Sequence, residues 1–153
     1  METAKQVSIF LENKPGRLGN VLSALAKEKV NVTALTVMDS HEHNVLRVVT
    51  DNAPQSLKVL KGLGVNCTET DVLLVELRNQ PGALAHVCET LASDHINIDY
   101  CYASSGGRNG KVYGIFKVSN TDRAKNLLSG SANNKRAEGR PLRNKRAYSG
   151  PGR

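Results

Sequence analysis

The chain has 153 residues, of which 39% are hydrophobic, 23% charged and 4% aromatic, with no tryptophan. That length suits one domain or two very small ones and excludes a large multidomain enzyme, while the composition supplies a modest aliphatic core. The net charge of +7 is unevenly placed: residues 1–130 hold 14 Lys+Arg against 13 Asp+Glu, and residues 131–153 hold 7 against Glu138 alone, so the basicity belongs to the C-terminal segment.

Alternating Val7, Ile9 and Leu11 predict a first strand with one buried face. After Pro15-Gly16, the residues Leu18, Val21, Leu22, Leu25 and Ala26 fall on one face of an amphipathic helix. Val32–Met38 and Val45–Thr50 read as a second and a third strand around the polar turn Ser40–Asn44. A short helix near Pro54–Lys61 ends at Gly62, and Val65–Thr70 reads as a fourth strand.

The same series then recurs. Glu12-Asn13-Lys14-Pro15-Gly16-Arg17-Leu18 lies 66 residues before Arg78-Asn79-Gln80-Pro81-Gly82-Ala83-Leu84, and the same offset pairs Asn31 with Asn97 and Val32 with Ile98. Leu73, Val75 and Leu77 alternate as a first strand, Leu84, Val87, Cys88, Leu91 and Ala92 repeat the helix stripe, and Ile98–Ala103 and Val112–Val118 are the second and third strands. A longer turn through Ser104–Gly110 raises the offset to 68 for Gly62 and Gly130. A last helix near Asp122–Ser129 is expected behind Asn120 or Thr121 as its cap.

The pattern predicts an α+β chain of two βαββαβ modules with antiparallel sheets, 5–70 and 71–130, followed by a disordered basic tail over 131–153. From Ser131 no alternating apolar run follows, so the second module lacks its last strand in this reading. Modules of about 65 residues are marginal alone, which predicts packing on each other or oligomerisation. The link Thr68–Val72 spans at most about 14 Å against the 15–20 Å needed to cross a four-stranded sheet, which favours pairing between chains.

Tandem copies of strand, Asn-x-Pro-Gly-x-Leu, amphipathic helix and then Asn31-Val32 or Asn97-Ile98 opening a second strand resemble the ACT domain, an amino-acid-binding regulatory module. Gln6 through Leu18 is similar to the start of free-standing bacterial proteins made of two such modules without a catalytic domain. The resemblance covers about residues 5–130 and implies a ferredoxin-like fold and a ligand between paired modules, at the first loop of one and the second strand of its neighbour. Carried onto this chain, it implicates Asn13, Pro15, Gly16, Arg17, Leu18, Asn31 and Val32, and in the second copy Asn79, Pro81, Gly82, Ala83, Leu84, Asn97 and Ile98. Helix N-terminal N–H groups suit a carboxylate, glycine permits close approach, and asparagine can meet both ends of a zwitterion.

The bland alternative is that Pro-Gly merely starts helices and Asn merely turns the chain. Arg17 against Ala83, and Lys14 against Gln80, make the two loops chemically unequal.

Other patterns carry less. The RNA recognition motif shares the element order, but Phe10 and the Tyr113–Phe116 stretch belong to different copies. Lys135, Arg136, Arg140, Arg143, Lys145 and Arg146 could meet phosphates of a nucleic acid, though a solvated end is the simpler reading. His41-Glu42-His43 lacks a third metal ligand, and Cys67, Cys88 and Cys101 fit reduced thiols without a disulfide or zinc site.

No Ser-His-Asp order, acid pair or phosphate loop appears, and neither an 18-residue apolar run nor a signal-peptide pattern is present. The expectation is a non-catalytic cytoplasmic regulator without cofactor or metal. It binds a free amino acid, pairs with itself through its modules, and acts on an enzyme or regulator of amino-acid metabolism.

Overall fold

The computed structural model describes residues 1–38, 43–104 and 111–134. The order is β1 (Glu2–Glu12), α1 (Arg17–Lys27), β2 (Val32–Met38), β3 (His43–Thr50), α2 (Ala53–Gly62), β4 (Cys67–Arg78), α3 (Ala83–Ser93), β5 (Ile98–Ala103), β6 (Lys111–Val118) and α4 (Thr121–Asn134). The fold is α+β, with two ferredoxin-like βαββαβ-type modules whose strands join in one antiparallel sheet of order β2-β3-β1-β4-β6-β5.

The alternation in each strand sorts its side chains between two layers. Val7, Ile9 and Leu11 of β1 meet Val21 and Leu25 of α1, Leu46 and Val48 of β3 and Leu60 of α2 in the core of the first module. Leu73, Val75, Leu77, Val87, Leu91 and Phe116 build the corresponding core of the second. On the sheet face away from the helices, Ala34, Val49, Val72, Leu74 and Ile115 form a third cluster, joined by Tyr102 and Tyr113, that draws on both modules.

That third cluster exists because the sheet curls. Its edge strands β2 and β5, five places apart in the sheet order, come close to each other. No backbone hydrogen bond joins them among the described residues.

The 66-residue repeat extends to fine detail. β1 and the last eleven residues of β4 share the same burial pattern, three exposed positions around one half-buried one and then four buried in a row. Both second strands carry a bulge at their second residue, Thr33 between Val32 and Ala34, and Asp99 between Ile98 and Tyr100. Helices α1 and α3 both end on a left-handed residue, Lys29 at φ 58° and His95 at φ 54°.

Three expectations need correction. Thr68–Val72 is no linker, because the fourth strand of the first module runs straight on as the first strand of the second within β4. The chain therefore never crosses a sheet, and the two modules pair within it along β1 and β4. The expected module boundary at residues 70 and 71 falls inside that strand.

Next, the edge left by the missing last strand is partly covered. Glu2, Thr3 and Ala4 lie opposite Leu74, Leu73 and Val72, on the side of β4 away from β6. Beyond Leu74 that side has no strand partner among the described residues. Finally, α4 passes through Gly130 and continues to Asn134, so the tail does not begin at Ser131. A helical glycine costs about 1 kcal/mol relative to alanine and does not by itself stop a helix. Residues 135–153, the remainder of the expected disordered tail, lie outside the described residues.

Candidate functional site

Gly16 and Gly82 both sit at φ 83°, a left-handed conformation that L side chains seldom adopt, and each immediately precedes a helix. No side chain caps α1 or α3, so their first-turn N–H groups lack a side-chain acceptor. This is why Pro-Gly recurs: proline restricts the approach and glycine makes the reversal into the helix.

The first loop is crowded with charge. The Glu12 carboxylate accepts Lys14 Nζ at 3.0 Å and Arg17 Nη2 at 2.9 Å, and these two cations hold its carboxyl below the usual range, Lys14 foremost. Asn44 Nδ2 donates to Asn13 Oδ1 at 3.2 Å, while Asn44 Oδ1 is buried without a partner among the described residues. The second loop has Arg78, Gln80 and Ala83 at the places of Glu12, Lys14 and Arg17, so the same ion pairs cannot form there.

Asn31 and Asn97 play one structural part in both copies. The Asn31 N–H donates to Asp51 Oδ1 at 3.0 Å, and the Asn97 N–H to Ser119 Oγ at 3.1 Å. Asn97 Nδ2 also donates to Asp99 Oδ1 at 3.0 Å.

Strand register determines which of these groups share an end of the sheet. Glu12 lies opposite His43, and Val32 opposite Thr50, so the Asn13–Leu18 loop and Asn31-Val32 of one repeat lie at opposite ends. Because β4 runs antiparallel to β1, the Asn79–Leu84 loop shares the end of Asn31-Val32, and the Asn13–Leu18 loop shares that of Asn97-Ile98. Each loop is thereby placed with the second-strand start of the other repeat.

Between the two ends, the curled face carries a polar network absent from the sequence reading. Gln6 is fully buried; its Nε2 donates to Ser8 Oγ at 3.0 Å and to Tyr100 Oη at 2.8 Å, and its Oε1 accepts from Tyr102 Oη at 3.0 Å. The Arg47 guanidinium lies 3.8 Å over the Tyr100 ring and donates to Met38 Sδ. Burial pushes the Tyr102 phenol above its ordinary value, with Tyr100 adding to the rise. The one available signal was the pair of tyrosines on the inward period of a strand; nothing local marked Gln6 as buried.

At one end the facing edges leave a cleft of about 220 Å³ lined by Val32, Thr33, Ala34, Leu35, Ala103 and Ser104. A larger groove of about 460 Å³ lies on the outer layer between α1 and α2, with Lys27, Glu28 and Lys58 at its walls and no residue of either loop in its lining. Among the described residues no cluster of His, Cys, Asp or Glu could hold a metal ion, and no helix is long and apolar enough to cross a membrane. His41 and Glu42 of the metal reading lie outside the described residues.

The profile of the ACT domain pair matches residues 2–135. This chain belongs to the ACT domain-pair family. Its ACT pair is 35% identical to a protein from Bacteroides thetaiotaomicron, covering 85% of this chain and 89% of that one at a TM-score of 0.78. The fold is also that of the ligand-free regulatory subunit of aspartate kinase from Thermus thermophilus, at 16% identity, TM-score 0.66 and coverage of 87% and 97%. The corresponding subunit from Thermus flavus gives 18%, 0.58, 87% and 92%. No protein of curated function matches this chain. ACT domains are regulatory rather than catalytic modules, so the family places the chain among regulatory proteins.

Proposed function

We propose that this ACT pair is a non-catalytic regulator of amino-acid metabolism that binds a free amino acid between its two modules. The observation that carries the reading is the crossed placement of loops: Asn79, Pro81, Gly82, Ala83 and Leu84 share an end with Asn31 and Val32, and Asn13, Pro15, Gly16, Arg17 and Leu18 share the other with Asn97 and Ile98. Each end then offers uncapped helix N–H groups for a carboxylate beside an asparagine from the other module.

A ligand touching both modules stabilises their pairing, and by linkage the pairing favours the ligand. Readout through a second copy or an enzyme partner is supported by Leu18 and Leu84, exposed large apolar side chains at the starts of α1 and α3. The family resemblance to regulatory subunits supports the enzyme partner as the second reading, and a cytoplasmic setting suits both. The nucleic-acid alternative rests on residues 135–153, outside the described residues.

The test is thermal unfolding of the full chain against each of the twenty amino acids. A ligand at 100 times its Kd adds about 2.7 kcal/mol, a shift of several degrees in a chain of this size. A selective rise supports amino-acid binding. No rise with any of the twenty, in folded protein, overturns it and leaves enzyme co-purification as the next experiment.

A further inference from the structure

The seam between β2 and β5 differs at its two ends. The cleft of about 220 Å³ is built from Val32, Thr33, Ala34 and Leu35 of one repeat and Ala103 and Ser104 of the other. The 66-residue offset maps these onto Ile98, Asp99, Tyr100, Cys101, Val37 and Met38 at the opposite end. There the place of Ala34 is taken by Tyr100, and that of Ser104 by Met38. Arg47 ties the two together, stacked on the Tyr100 ring and hydrogen-bonded to Met38 Sδ. One end thus presents the small Ala34 and Ser104, and the other the mutually packed Tyr100, Arg47 and Met38.

The chemistry of the open cleft is restrictive. Among the described residues no ionisable side chain lines it, so its described walls offer no counter-charge to a ligand carrying net charge. Its walls are the facing edges of β2 and β5, whose outward N–H and C=O groups make no bond to each other among the described residues. Such unpaired edge groups supply donors for a carboxylate and acceptors for an ammonium. Ser104 Oγ already accepts the Tyr113 N–H at 3.0 Å, which leaves its own O–H to donate. The volume lies below the roughly 300–1,000 Å³ of sites for drug-sized ligands and suits one small metabolite.

Resting on the amino-acid reading above, we infer that the chain holds one ligand, not two, and that this ligand is a small neutral α-amino acid of the glycine, alanine, serine or threonine class seated between Val32–Leu35 and Ala103-Ser104. The Tyr100–Arg47–Met38 stack makes the repeat-related position structural.

The test uses the full chain and a paired set of variants. Ala103 is an exposed wall of the cleft, and Val37 is its counterpart at the opposite end. Titration calorimetry with glycine, L-alanine, L-serine and L-threonine is expected to give one site per chain for at least one of them, and none for aspartate, glutamate, lysine or arginine. Ala103→Tyr should weaken that binding at least tenfold, and Val37→Tyr should leave it within twofold. Thr33→Lys, on the opposite wall, gives an independent check if Ala103→Tyr does not fold. Two equivalent sites per chain, loss of binding in Val37→Tyr with retention in Ala103→Tyr, or preference for a charged amino acid overturns the assignment while leaving amino-acid binding intact. Absence of binding by all twenty amino acids removes both together.

Discussion

Lys5 and Asp71 hold the same place in the two repeats and face each other across β1 and β4, Nζ to Oδ1 at 2.9 Å. The axis relating the modules therefore passes between them, and Lys5 also reaches Glu69 at 3.2 Å. Asp71 first and Glu69 second raise the Lys5 ammonium above its ordinary value. A perfect repeat would set like charges opposite each other at this point. Opposite charges instead favour pairing of the two different halves of one chain over self-pairing of either half.

Reversing one charge tests that idea. Asp71→Lys should lower the melting temperature slightly and promote self-association, and the exchanged pair Lys5→Asp with Asp71→Lys should restore the original behaviour in part, because Glu69 then loses its cation. The pair is solvent-exposed, so the effect should be small and fade in about 1 M salt, where the Debye length is about 3 Å. Calorimetry and analytical ultracentrifugation at two salt concentrations read both.

Gly114 and Phe116 in β6 stand where Leu46 and Val48 stand in β3, a different division of similar volume. A Cβ at Gly114 would lie 2.7 Å from Phe116 Cε2, because the ring covers the glycine. Gly114→Leu is expected to cost about 1–3 kcal/mol by overpacking. Gly114→Leu with Phe116→Val copies the first repeat and should recover much of that loss, a strongly non-additive pair in urea unfolding.

Gln6 stands where Val72 stands in the second repeat, yet it is the polar centre of the curled face. Gln6→Val leaves the part-buried hydroxyls of Tyr100 and Tyr102 short of partners, at a cost of about 1–3 kcal/mol. Adding Tyr102→Phe removes one unpaired group and should lessen the cost, which a double-mutant cycle measures.

Tyr102 also gives the fold an alkaline limit. Its folded value is raised above the ordinary 10.0, so the folded state favours the neutral phenol. Its contribution is complete below that ordinary value and declines as pH rises past it, where the unfolded chain ionises first. The urea midpoint should fall between about pH 9 and about pH 11, and fall less steeply in Tyr102→Phe.

Lys29 and His95 end their helices in the left-handed region while Val30 and Ile96 N–H groups bond back to Leu25 and Leu91 at 3.0 Å each. Both residues are exposed, so glycine removes backbone strain without removing a contact. With about 1–2 kcal/mol of strain relieved against about 0.5–1 of added chain entropy, each glycine variant should gain about 0.5–1 kcal/mol. Scanning calorimetry of Lys29→Gly, His95→Gly and the double variant should show additive rises, because the sites lie in different modules.

Much of the local structure was legible because it depends on near neighbours. Val32–Met38 and Ile98–Ala103 are strands over the expected bounds. The predicted stripes bury Val21 and Leu25, and Val87 and Leu91, at their centres, while their ends Leu18, Ala26, Leu84 and Ala92 stay exposed. Asn120 caps α4, its Oδ1 accepting the Arg123 N–H at 2.9 Å. The paired Pro-Gly loops, each needing a left-handed glycine, were also legible, since turn chemistry is written within four residues.

The rest depended on contacts between distant parts of the chain. Two predicted strands fuse as β4 because β1 and β6 flank it with overlapping registers, which no local alternation reveals. Gln6 reads as a solvent-facing residue until the curl brings Tyr100 and Tyr102, 94 and 96 residues away, over its amide. The 66-residue offset pairs Ala34 with Tyr100, but that both face the seam between β2 and β5 is decided only by the curl of the sheet. The repeat, its elements and its loops are written in the chain, because strand period, helix period and turn chemistry are local. Tertiary structure alone decided which faces meet, because closing a curled sheet on itself is a property of all six strands together.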